Sequence, residues 1–135
     1  MKELTDIKIS DNFSLWEFIK SDTAKLAGIK EQYIIPINAV DNIVSLTNNI
    51  LQPLRNKIGE IHITSGYRCK LLNHYLDGSK YSQHLTGSAA DFKCQDQETA
   101  IKLIKHMQFD QLIIYPRFIH VSYDPKRSRK SILHG

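Results

Sequence analysis

The sequence predicts an α+β fold, and three observations carry that reading. Apolar residues recur at helical spacing through Val40, Ile43, Val44, Ile50, Leu51 and Leu54. Residues 60–65 instead alternate polar and β-branched side chains, as a half-buried strand does. Residues 109–115 and 118–123 are two apolar runs about Pro116-Arg117, the pattern of a hairpin. Helices come first, and antiparallel strands with helices between them follow.

Taken in order, Ser14 caps a short helix over 15–20, and a second helical turn over 23–27 stops at Gly28. Pro36 introduces the longest helix with Asn38 as its N-cap; Pro53 kinks it and Gly59 ends it. Gly66 breaks the first strand, and residues 68–76 form a short helix. Residues 88–94 read as a strand, after which Asp96 caps a helix through 100–105. Repeats and low-complexity linkers are absent, so residues 1–135 are expected to form one domain.

The hairpin fixes a register. A two-residue turn at Pro116-Arg117 places Tyr115 opposite Phe118, Ile113 opposite His120 and Gln111 opposite Ser122. Side chains alternate faces along a strand, so His120 shares its face with Gln111, Ile113, Tyr115, Phe118 and Ser122. Asp110 and Ile114 point the other way. On the strand before it, Asp91 faces with Ala89 and Lys93, whereas Cys94 faces away and is a poor metal ligand. Tyr115 and Phe118 also suit a hairpin's own aromatic pair.

Composition narrows the classes. Hydrophobic residues make up 41% and charged residues 24% of the 135-residue chain, as in an ordinary globular protein. No apolar run reaches the roughly 20 residues of a membrane span. The start, Met1-Lys2-Glu3-Leu4-Thr5-Asp6-Ile7, has no apolar core for a secretory signal, so synthesis in the cytoplasm is expected, and a partner outside it is expected to need another exit route. Net charge is +4. Lys126, Arg127, Arg129 and Lys130 are either a solvated tail or a surface for anionic polymers. Nucleic acid is disfavoured as a partner because residues 126–130 hold no aromatics for base stacking. Cys69 and Cys94 lack CxxC spacing and read as free thiols.

The chemistry concentrates in Ser82-Gln83-His84-Leu85-Thr86-Gly87-Ser88-Ala89-Ala90-Asp91 and in Phe118-Ile119-His120-Val121-Ser122. Two imidazoles and one carboxylate suit Zn2+ and leave a fourth position open, the arrangement of a catalytic rather than a structural zinc. His84, Asp91 and His120 are the expected ligands. His62, His74, His106 and His134 have no companion spacing and are expected to be structural or solvated.

These segments, with Ser65-Gly66-Tyr67-Arg68, Leu72-Asn73 and Phe109-Asp110-Gln111-Leu112-Ile113, resemble the zinc D-Ala-D-Ala carboxypeptidases, peptidase family M15. The small phage-type peptidoglycan peptidases are the most similar branch, and Phe13-Ser14-Leu15-Trp16-Glu17-Phe18, Ala24 and Gly28 extend the similarity over roughly residues 8 to 135. The resemblance implies the hedgehog-like fold, a small antiparallel sheet flanked by helices, with zinc on His84, Asp91 and His120. It implies that Arg68 holds an anionic group of the substrate, although alone it also reads as a surface ion pair. A guanidinium fork suits a carboxylate better than an ammonium does. Ser82 is implied to assist in substrate binding. Gln111 matches the family's polar residue and, by the hairpin register, faces the metal.

One departure stands out. Family members usually carry a Glu or Asp near the last histidine, often three residues before it, as general base; here that residue is Arg117, which accepts no proton. Tyr115 stands where the phage-type branch often has an acid. Asp96 and Glu98 are explained as helix-capping acids. Tyr115 and Gln111 are therefore the candidate catalytic groups. The expected function is a monomeric zinc peptidase acting on peptidoglycan stem peptides, as carboxypeptidase or endopeptidase. The alternative is a weakly active or inactive zinc-containing module that binds cell wall.

Overall fold

The computed structural model describes residues 7–135. The opening segment, read above as lacking an apolar leader, lies outside the described residues except for Ile7. Strands β1 (Lys8–Ser10) and β2 (Phe13–Ser14) form a small antiparallel pair that leads into α1 (Leu15–Ile19). The Glu17 carboxylate caps α1 by accepting from the Ser14 backbone N–H at 2.7 Å, which meets an amide the helix itself leaves unpaired. Helix α2 (Asp22–Ala27) begins where Ser21 accepts from the Ala24 N–H and ends at Gly28, whose φ of 69° a side chain would disfavour. A 3-10 turn, Lys30–Tyr33, follows it.

The long helix is three pieces: α3 (Ile37–Leu46), a π-helical turn (Thr47–Leu51) and α4 (Gln52–Ile58). One expectation changes here. Asn38 lies inside the first turn instead of capping it. The extended backbone of Pro36 turns the chain into the helix, and its carbonyl accepts from the Ala39 and Val40 N–H groups. At Pro53 the turn before it widens. Proline has no N–H to give to the preceding turn, and a π-type turn takes up the mismatch. Gly59 ends the helix as expected, at φ 86°.

The sheet is built from β3 (Ile61–Ser65), β4 (Ala89–Cys94), β5 (Gln111–Ile114), β6 (Ile119–Ser122) and β7 (Ser131–His134), in the order β3-β4-β6-β5-β7. Helices α5 (Lys70–Tyr75) and α6 (Gln97–Ile104) lie in the connections. Asp96 caps α6 through the Thr99 N–H, as expected. The α+β class holds, with one correction: β7 pairs with β5 in parallel, so the sheet is mixed. Residues 126–130 are accordingly a connection that returns the chain to the sheet and not a free tail.

The hairpin register holds: Ile113 pairs with His120, and the Tyr115 N–H donates to the Phe118 carbonyl at 3.1 Å. Alternation gives the sheet two different faces. Ile63, Ala90, Phe92, Leu112, Ile119 and Val121 are buried with Ile43, Leu46, Ile50 and Leu54 of the long helix. The opposite face carries one transverse row, Ser65–Asp91–His120–Ile113–Leu133, across all five strands. The core behind the sheet makes this row rigid. Truncating a buried leucine or isoleucine there costs about 2–5 kcal/mol.

Candidate metal centre and cleft

Asp91 and His120 are direct cross-strand partners on β4 and β6. Their alignment brings the Asp91 Oδ1 to 2.8 Å from the His120 Nδ1. His84 reaches the same oxygen from outside the sheet, its Nε2 lying 3.2 Å away. It rides on a 3-10 turn, Gln83–Thr86, whose start is capped by the Ser82 hydroxyl accepting from the His84 N–H. Gly87 closes that turn at φ 77°, and a Cβ there would lie 2.5 Å from the Ala39 carbonyl oxygen of α3. Only glycine meets both demands. The Asn42 amide, donating to the Thr86 carbonyl at 2.9 Å, ties the turn to α3 a second time.

The tautomer of His84 follows from its neighbours. The ring is buried and its Nδ1 lies 2.6 Å from the Gly66 carbonyl, which can only accept, so Nδ1 carries the proton and Nε2 keeps a lone pair. Burial lowers the pKa of this histidine, overriding the pull of Asp91, so the ring is neutral. For Asp91, burial acts to raise the pKa, but opposing causes led by the hydrogen bond from His120 outweigh it and hold the carboxyl far below the usual range. A neutral His84 and an ionised Asp91 are in the states a metal requires of such ligands.

The three donor atoms lie within 4.8 Å of one another and form the one such cluster among the described residues. Bonds of about 2.0–2.2 Å in a tetrahedron put ligand atoms about 3.3–3.6 Å apart. The two spacings to Asp91 Oδ1, 3.2 and 2.8 Å, are somewhat shorter than that, and the donor set fits zinc.

Arg68 stands over the cluster. Its Nε donates to the Ser65 hydroxyl at 3.2 Å, its Nη1 to the Asn73 side-chain oxygen at 3.4 Å, and its Nη2 lies 3.7 Å from Asp91 Oδ2. The support beneath it was not legible in sequence. Buried Gln32 donates to the carbonyls of Ile19 and Tyr67, both at 2.8 Å, and accepts from the Cys69 N–H. One amide thus fixes both sides of the loop that carries Arg68. Gly66 passes so close to α1 that a Cβ would lie 2.7 Å from the Phe18 backbone.

A cleft of about 740 Å³ opens above the cluster. All seven site residues expected from sequence line it: Arg68, Ser82, His84, Asp91, Gln111, Tyr115 and His120. Tyr115 stacks on Phe118 with ring centroids 4.2 Å apart, so the hairpin pair is also a cleft wall. Arg117 is exposed on the turn, while Asp96 and Glu98 are exposed on α6. The other four histidines are exposed and stand outside the cluster. Both cysteines are free thiols.

Asp110 departs from its expectation. It is buried, but not as a strand residue facing the core: it precedes β5, and its carboxylate turns to residues that line the cleft. It accepts from the Arg129 Nε at 2.8 Å, the Arg129 Nη2 at 3.0 Å and the Gln83 side chain at 2.9 Å, and Arg127 Nη2 lies 3.3 Å away. Gln83, Arg127 and Arg129 all line the cleft. The sequence signal for them was faint, because basic residues near a chain end usually read as solvated charge.

A family model described as Peptidase M15 matches residues 11–122. The chain belongs to this family. No curated protein matches the chain. As an M15 member it carries a peptidase domain, and the cluster of His84, Asp91 and His120 sits within the matched span. The family implies a peptide substrate. None of the described helices is long and apolar enough to cross a membrane.

Proposed function

We propose that this M15 chain is a zinc-dependent peptidase that hydrolyses peptide bonds of bacterial peptidoglycan stem peptides and acts as a monomer. The observation that carries it is the convergence of His84, Asp91 and His120 on the floor of a cleft walled by Arg68. Held by these three residues, zinc supplies a Lewis acid near neutral pH. The chain's own groups supply the rest. Arg68 offers its free N–H groups to a carboxylate of the peptide, and Ser82 donates its hydroxyl hydrogen to the same substrate. Gln111 polarises the scissile carbonyl, and the Tyr115 phenol delivers a proton to the departing amine. The test is turnover of purified peptidoglycan with and without chelator, followed by mass spectrometry of the fragments. Chelator-sensitive release of peptide fragments is expected. Intact wall after treatment with the zinc-loaded protein overturns the reading.

A second reading has its own support. Asp91 is the one carboxylate among the described residues lining the cleft, and Asp110 beneath the rim is saturated by arginines and Gln83. A zinc-containing wall-binding module with little or no turnover is consistent with that shortage of bases. Retention of wall binding without fragment release distinguishes it.

A further inference from the structure

Arg127 and Arg129 stand at the rim of the cleft, and the reading above gives them nothing to do. They are not loose surface charges. The Arg129 guanidinium makes a two-pronged contact with Asp110, and the Arg129 backbone N–H donates to the same carboxylate at 3.2 Å. Arg127 shares Oδ2 at 3.3 Å. Asp110 itself is fully buried, whereas the arginine side chains remain about half exposed, at 53% and 45%. One carboxylate therefore anchors two guanidinium groups, and a net positive charge is left facing the cleft. Each guanidinium has five N–H donors, of which Asp110 engages two on Arg129 and one on Arg127. The others are open to a ligand.

Position gives this charge its meaning. Arg68 follows β3, while Asp110 and its two arginines lie at the start of β5 and ahead of β7. Between them in the sheet are β4 and β6, which carry Asp91 and His120. Neighbouring strands are about 4.8 Å apart, so the two cationic sites are separated by roughly 14–19 Å with the metal cluster between them. An extended peptide rises about 3.3 Å per residue, and about four to six residues span that gap.

We propose that Arg127 and Arg129, clamped by buried Asp110, form a second anion subsite across the cleft from Arg68, so that the preferred substrate is a peptide with a carboxylate on each side of the cleaved bond. This deepens the peptidase reading and rests on it for the nature of the ligand. Asp110 is a positioning residue here: it acts through the arginines. Gln83, which also donates to Asp110, couples the subsite to the turn that carries His84.

The test uses the zinc-loaded protein and two synthetic stem peptides of five residues, one with free side-chain and α-carboxylates and one with these amidated, with binding measured by calorimetry and cleavage by chromatography. The wild type is expected to bind the free acid at least tenfold more tightly, since hydrogen bonds between charged groups are the strong ones. Arg127→Gln, which alters an exposed side chain, should weaken free-acid binding about tenfold and leave amidated-peptide binding unchanged. Asp110→Asn should do the same through KM while kcat on the amidated peptide is retained. Equal discrimination in Arg127→Gln and wild type overturns the subsite, and so does failure of the free-acid peptide to bind. Charge-dependent binding without cleavage keeps the subsite and removes the peptidase reading; cleavage with charge-blind arginines does the reverse.

Discussion

Asp91 and His120 face each other across two antiparallel strands, and their side chains meet at 2.8 Å because register and alternation leave them no other direction. Cross-strand pairing places two of three metal-capable residues with backbone precision, and only His84 depends on a loop. The loop is held by Gly87 against α3 and by the Ser82 cap. Metal content should therefore be sensitive to each ligand. One zinc per chain is expected in the wild type, with both His84→Ala and His120→Ala below about a tenth of that occupancy at equal protein and metal. Elemental analysis after gel filtration measures this. Wild-type stoichiometry in both variants would place the metal elsewhere.

Arg68 gives a separable prediction, because its fork and not its charge alone is aligned by Ser65 and Asn73. Arg68→Lys keeps the charge and loses the planar pair of donors. The expected result is a fall in kcat/KM of about 10–100-fold on a stem peptide, the scale of one charged hydrogen bond, with zinc content unchanged. Wild-type kinetics in this variant would make Arg68 a structural ion pair with Asp91.

What the sequence disclosed and what it hid divide along physical lines. The metal-capable cluster, the hairpin register and the α+β class were legible because each rests on a local pattern: alternation, turn chemistry, or residue types with few alternative uses. The π-turn before Pro53, the parallel strand at 131–134 and the Gln32 clamp were not. Each of these depends on partners distant in the chain, and a glutamine in a helical turn carries no local sign that three backbone groups will claim it. Asp110 shows the same limit. Its neighbours in sequence predict a strand face, but the arginines that capture it arrive about twenty residues later.

The Gln32 clamp predicts a large effect from a residue far from the metal. Gln32→Leu removes one acceptor and two donor contacts from buried backbone groups of Ile19, Tyr67 and Cys69. Each unsatisfied group costs about 1–3 kcal/mol, so a loss of about 2–4 kcal/mol in urea unfolding is expected after partial relaxation. A change under about 0.5 kcal/mol would show that water replaces the amide.

Stability against acid should report on Asp110. Burial acts to raise its pKa, but hydrogen bonds from the Arg129 side chain and backbone and from Gln83 outweigh that and bring it down to about 2. Its unfolded value is about 3.9. The folded pKa is the lower one, so this group's stabilisation is complete above about pH 4 and is lost as pH falls through about 2. The stability difference between wild type and Asp110→Asn, from denaturant midpoints, should be constant above about pH 5 and shrink toward pH 2. A difference that is flat across that window would mean that the Asp110–Arg129 contact is not formed in solution.

The last prediction concerns proton transfer. Asp91 is committed to the two histidines, and Asp110 is saturated beneath the arginines, so no lining carboxylate among the described residues is left to serve as acid or base. Tyr115 remains, on the wall of the cleft that Arg68 also lines. General acid catalysis contributes about 10²–10⁴-fold in rate. Removing only the hydroxyl in Tyr115→Phe should lower kcat by at least about tenfold while KM, zinc content and the stack on Phe118 stay as they are. Asp110→Asn, by contrast, should act on KM for charged peptides. The two variants are to be compared on one substrate, with metal content checked in both. If Asp110→Asn loses kcat with zinc still bound and Tyr115→Phe does not, the proton passes through Asp110, and the arginines that cover it must move aside when the substrate binds.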